Sequence, residues 1–195
     1  MNDWKEAASV LGEAFSNTEA TPGGGSAAGV AGVIACALAR MAAGISAQSK
    51  SKKMDDDRRS ALSAALSDFE AEQKEFERLT VADAAVFDAF MAVYGLPKED
   101  SERPAKMHAA LVRAGEVPLE TAGKAAQVLE KLHAVATRTV GTVTSDVNCA
   151  IHLVRAAGLC ALENVEINAA SLKDESAAER LRSAAERVRT ELLAT

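Results

Sequence analysis

Thr21-Pro22-Gly23-Gly24-Gly25-Ser26 is the segment that most restricts how this chain can fold. Three consecutive glycines behind a proline suit neither a helix interior nor a strand, so they predict a tight loop. From Ala27 to Ile45 the residues are nearly all small and apolar, with Arg40 the only charge. That run predicts a central helix, with Ser26 as its N-cap. Gly25, Gly29 and Gly32 recur at helical spacing, as do Ala28, Ala31, Ala35 and Ala39, giving a flat surface on which another helix can pack closely. The loop N–H groups and the positive helix end offer a place for a carboxylate or phosphate. A plain tight turn before a core helix accounts for the same residues.

The chain is 48% hydrophobic but only 4% aromatic, so burial must come from many small, closely packed side chains, a composition that favours helices. A length of 195 residues predicts one domain, 1–195. A net charge of −6 without any basic stripe argues against nucleic acid as a partner. Cys36, Cys149 and Cys160 form no CxxC pair, which predicts buried, reduced thiols in a cytoplasmic protein. His108, His133 and His152 lack metal-ligand spacing, so no metal is expected. Residues 27–45 are long enough to cross a membrane, but Arg40 and the Ala/Gly content predict a buried helix of a soluble protein instead. No targeting signal is read.

Along the chain, Trp4, Ala7, Ala8, Leu11 and Phe15 predict an amphipathic helix over 3–16. After Ile45 the polar run SAQSKSKKMDDDRR carries no motif. A charged helix follows from about Asp55 through Leu79, with Thr80-Val81-Ala82-Asp83 read as a cap or kink. Beyond it, Asp83, Phe87 and Met91 share a face, and Gly95 and Pro97 stop the helix. Pro104–Ala114 and a segment from Pro118 to about Thr139 read as two further helices. The turn Gly141-Thr142-Val143-Thr144 leads into a helix through Cys149, Leu153, Ala156 and Cys160, capped by Ser145 or Asp146. In NVEINAASLKD, Asn164, Asn168 and Lys173 stand among Val165, Ile167 and Leu172, a pattern that suits either a site or an ordinary helix end. Residues 175–193 read as a charged closing helix. The expectation is an all-α, single-domain antiparallel helical bundle.

TPGGGSAAGVAGVIACALARMA, DAAVFDAFMAVYGLPK and TSDVNCAIHLVRAAGLCALENVEINAASLKD, in this order, resemble the cyclodeaminase/cyclohydrolase family over about Trp4–Asp174. The resemblance implies a dimerising all-helical domain with a folate site near the subunit contact, acting on the one-carbon unit between N5 and N10. It carries Gly23, Gly24, Gly25, Ser26, Asp83, Lys98, Ser145, Asp146, Asn164, Asn168 and Lys173 onto the family's motif positions. The chain departs from the family's usual ANLT-like stretch at Ala43–Ser46 and from its Asn-containing loop at Thr139–Thr142.

The implied reaction is hydrolysis of 5,10-methenyltetrahydrofolate to 10-formyltetrahydrofolate, favoured here because no formiminotransferase domain is attached. The alternatives are formiminotetrahydrofolate cyclodeaminase, with ammonia release, and a non-catalytic folate-binding helical dimer. No cofactor is expected. Asp146 and Asp83 are the candidate catalytic carboxylates, with Lys173 as proton donor. Asp146 is favoured because it stands where a turn meets an apolar helix. Gly23–Ser26, Lys98, Ser145, Asn164 and Asn168 are the expected substrate contacts. A homodimer built on the central helix or its neighbours is expected, with Gly29→Leu weakening the contact.

Overall fold

The computed structural model describes residues 3–52 and 54–194, and among them six α-helices, one 3-10 turn and no strand. The helices are α1 (Trp4–Ser16), α2 (Gly24–Ala47), α3 (Asp56–Tyr94), α4 (Arg103–Ala136), α5 (Thr144–Ser171) and α6 (Glu175–Leu193). Helix α2 packs on α3 and α5, α4 on both of these, and α6 on α4 and α5.

The glycines of α2 set the register at the centre. A Cβ at Gly25 would collide with the Asp83 carboxylate, one at Gly29 with Thr80 Oγ1, and one at Gly32 with the Phe76 ring. Rising numbers on α2 meet falling numbers on α3, so the two helices run antiparallel at a separation that only glycine permits. The small-residue stripe is therefore spent inside the protomer. The expectation that Gly29 serves a contact between subunits is corrected accordingly.

Several boundaries differ from the sequence expectation for local reasons. Helix α2 begins at Gly24 with Gly23 as N-cap, and Ser26 is its third residue. Helix α3 runs unbroken through 80–83, because Thr80 Oγ1 donates back to the carbonyl of Phe76 at 2.8 Å and leaves the backbone helical. Helix α4 is one helix with Pro118 inside it. Proline supplies no N–H, so the carbonyl of Ala114 loses its helical donor, and Asn168 Nδ2 on α5 donates to it instead at 2.9 Å. Gly141–Val143 forms the 3-10 turn, and Val143 is the N-cap of α5.

The core is filled by Phe69, Phe76, Leu62, Leu79, Leu129 and Leu162 among many alanines. One carboxylate sits among them. Glu72 pairs with Lys124 at 2.9 Å and Lys131 at 2.5 Å. Burial pushes its carboxyl up, but the hydrogen bonds and charges of the two lysines outweigh that and hold it below the usual carboxylate range. Burial first, then the Glu72 charge, pushes the Cys36 thiol up to about 12. Only Cys36 is buried; Cys149 and Cys160 are exposed, against expectation, because they fall on the outer face of α5. Helix α2 is long and apolar enough to cross a membrane by composition, and 44% of its most apolar window is buried inside the fold. Helix α1 buries no residue, and Trp4 is 76% exposed.

Candidate functional site

The antiparallel register of α2 and α3 brings Asp83 to the first turn of α2. Asp83 lies deep within α3, so it is not a first-turn acid of its own helix. Ser26 Oγ donates to its Oδ2 at 2.8 Å, and Gly25 leaves the space its carboxylate occupies. The first N–H groups of α2 have no intrahelical acceptor, and the positive end of that helix favours a negative neighbour.

This carboxylate forms part of the wall of a cavity of about 650 Å³ between α2, α3, α4 and α5, a size ordinary for a small-molecule site. One side is aromatic and apolar. Phe87, Phe90 and Tyr94 follow Asp83 down the same face of α3, and Met107 and Leu111 of α4 stand across from them. The other side is polar, built from Gly23–Gly25, Asn164, Asn168 and Lys173. Asn164 Nδ2 donates to the carbonyl of Cys160 at 3.0 Å, and its side chain lies against Gly24. Asn168 Nδ2 divides its donors between the carbonyls of Ala114 and Asn164 at 2.9 and 2.8 Å. The two asparagines therefore fix the end of α5 against α2 and α4 while edging the cavity.

Arg103 adds a cation at the rim. Its Nε donates to the carbonyl of Leu96 and its Nη2 to that of Tyr94, both at 3.1 Å, and its guanidinium lies 5.9 Å from the centre of the Tyr94 ring. These contacts clamp the turn between α3 and α4 and hold the charge in place.

The model of the formiminotransferase-cyclodeaminase family matches residues 8–187. This chain belongs to that family. A methenyltetrahydrofolate cyclohydrolase of Methylorubrum extorquens is 31% identical over 171 residues, which make up 86% of this chain and 81% of the relative. The solved structure of formiminotetrahydrofolate cyclodeaminase from Thermotoga maritima superposes with a TM-score of 0.82 at 22% identity, covering 98% of this chain and 90% of the other. That likeness shows a shared fold.

In this member of the formiminotransferase-cyclodeaminase family, the cavity gathers Gly23, Gly24, Gly25, Asp83, Asn164, Asn168 and Lys173, with Ser26 directly behind Asp83. It does not gather Lys98, Ser145 or Asp146. Lys98 is exposed in the turn after α3, outside the cavity wall. Ser145 and Asp146 lie in the first turn of α5, whereas Asn164 lies roughly 27 Å further along that helix at 1.5 Å per residue. Asp146 is thus at the opposite end of the protomer from Asp83. Phe90, Tyr94 and Arg103 were not singled out in the sequence. The spacing 83, 87, 90, 94 was available as a signal for the first two, but Met91 was placed on that face and instead stands 46% exposed. Arg103 carries no comparable pattern.

Proposed function

We propose that this cavity binds a reduced folate carrying a one-carbon unit, and that the chain hydrolyses 5,10-methenyltetrahydrofolate to 10-formyltetrahydrofolate. The observation that carries the reading is the Asp83 carboxylate, fixed by Ser26 and Gly25 at the junction of an aromatic wall and a polar one. The 31% identity to a protein named as a methenyltetrahydrofolate cyclohydrolase supports it.

The methenyl carbon is a cationic amidinium, which a carboxylate attracts and orients. Asp83 takes a proton from the attacking water as its oxygen bonds to that carbon. The resulting adduct collapses with cleavage of the bond to N5 as its hydroxyl gives up the second proton of the water to solvent. Oxygen remains on the formyl group at N10, and N5 receives a proton from Lys173 or from a water held by Asn164 and Asn168. The net reaction consumes one water and releases one proton, so no cofactor is needed. Asp83 already occupies the first turn of α2, so the anionic glutamate tail is assigned to Arg103 at the rim, and the flat rings to Phe87 and Phe90. We place the enzyme in the cytoplasm as a homodimer.

Separate incubations with 5,10-methenyltetrahydrofolate and 5-formiminotetrahydrofolate, followed through the ultraviolet band of the methenyl form, test the reaction. Loss of the band is expected with the first. Appearance of the band with ammonia from the second, and no loss from the first, would make the chain a cyclodeaminase. Binding without turnover of either would make it a non-catalytic folate-binding module.

A further inference from the structure

The end of the bundle opposite the folate cavity holds residues that the proposed reaction does not use: the polar run after α2 and the loop before α5. They enclose a second cavity of about 450 Å³. Its wall includes the guanidinium-bearing Arg58 and Arg138 and the hydroxyl-bearing Ser49, Ser51, Thr139 and Thr142, and among the described residues it contains no acidic one. In a chain of net charge −6 this is a local reversal of sign.

The wall is braced from several elements. Arg59, next to Arg58, donates to the carbonyls of Ala47 and Ser49 and so ties α3 to the end of α2. Arg138 Nη1 donates to the carbonyl of Ala134, which anchors that guanidinium at the end of α4. The buried Ser46 accepts the N–H of Val140 at 3.0 Å and holds the Thr139–Thr142 loop against α2. Ser49 Oγ accepts the N–H of Ser51 at 3.2 Å and shapes the turn on the other side. Asp55, Asp56 and Asp57 open α3 nearby, and Asp55 is engaged as its cap on the N–H of Arg58 at 2.8 Å. Arginine remains charged at any physiological pH and presents paired donors that match two-oxygen anions.

We infer that this cavity is a second ligand site, for a small molecule bearing two or more oxyanion groups, held by Arg58 and Arg138 with the Ser49 and Thr142 hydroxyls; the Thr139 hydroxyl donates to the carbonyl of Ala136 at 3.1 Å and only shapes the loop. Helix α2 has 24 residues and separates the two cavities by about 36 Å at 1.5 Å per residue, so no single small ligand fills both. The inference does not depend on the reaction assigned to the first cavity. Carboxylate and phosphate share the recognised chemistry, and the choice of probe separates them.

Isothermal titration of the full chain with tri-γ-glutamate in one arm and pyrophosphate in the other tests the site. Binding of at least one probe is expected, weakened about tenfold or more by Arg58→Gln and by Arg138→Gln, since each removes a charge-assisted pair. The conservative Arg58→Lys and Arg138→Lys keep the charge and should bind between the wild type and the glutamine variants, which separates lost binding from lost folding. Since Arg103 is assigned to a glutamate tail at the other cavity, both arms are repeated in Arg103→Gln, which removes any binding there and should leave the binding that depends on Arg58 and Arg138. Binding of tri-γ-glutamate alone identifies a carboxylate ligand, and binding of pyrophosphate alone a phosphate ligand. The inference is overturned if neither probe binds in the millimolar range, if the glutamine variants bind as well as the wild type, or if Arg103→Gln removes the binding.

Discussion

At the scale of single residues, Asp83 and Gly25 form one unit, because the carboxylate occupies the place a Cβ on Gly25 would take. Asp83→Asn keeps an acceptor for Ser26 but loses the charge and the proton acceptor. Turnover of the methenyl folate should fall about 10²–10⁴-fold with little change in melting temperature. Gly25→Ala should also lose turnover, with a stability cost on the order of 1–3 kcal/mol as the carboxylate is displaced. Asp146→Asn should be near native in both respects. Full activity in Asp83→Asn together with loss in Asp146→Asn would return the catalytic role to Asp146. The sequence shows both carboxylates in suggestive settings, and local pattern favours Asp146 at its turn. What separates them is the register of α2 on α3, a long-range property that no local spacing encodes. Once that register is known, the glycines at 25, 29 and 32 explain it completely, so the signal was present without its partner.

At the scale of elements, the sequence was legible where periodicity was strong and misleading where a single residue carried local punctuation. The extents of α1 and α6 and the presence of α2 and α5 follow from their apolar spacing. Thr80 and Pro118 were read as breaks, yet both lie inside continuous helices, because tertiary packing outweighs the local preference and the structure meets the hydrogen bonds at stake. Asn168 takes the role that Pro118 creates, by donating to the carbonyl of Ala114. Asn168→Ala alone should cost about 1–3 kcal/mol, since it leaves a carbonyl without its donor. In a Pro118→Ala background the restored N–H can return to that carbonyl, so the same substitution should cost distinctly less. Chemical denaturation of the four proteins in this double-mutant cycle gives the coupling directly. Equal costs in both backgrounds would mean that the bond to Ala114 contributes nothing and that Asn168 matters only at the cavity edge.

At the scale of the whole molecule, the all-helical class and the single bundle were readable from composition together with apolar periodicity along the chain, but the surface that faces other molecules was not. The glycine stripe pointed to a subunit contact and is instead filled by Thr80 and Phe76. The unpartnered face of α2 lies elsewhere. Ile34, Met41 and Ile45 are 41%, 42% and 47% exposed at i, i+7 and i+11. The one charge on α2, Arg40, turns to α3, where it donates to Gln73 Oε1 at 3.1 Å and pairs with Glu70 at 3.5 Å. An uncharged stripe along a 24-residue helix is best covered by a surface equally free of charge, and a second copy related by a two-fold axis supplies one. Light scattering on the eluted protein should therefore give a mass about twice the 20.3 kDa of the chain. Met41→Glu or Ile45→Glu would place an unpaired charge in the desolvated contact, and should give monomers that keep their helix content by circular dichroism. Gly29→Leu should instead destabilise each protomer, because it strikes Thr80 within the same chain. A wild type that elutes as a monomer, or a dimer unchanged by both glutamate substitutions, would mean that this face of α2 does not bind a second copy.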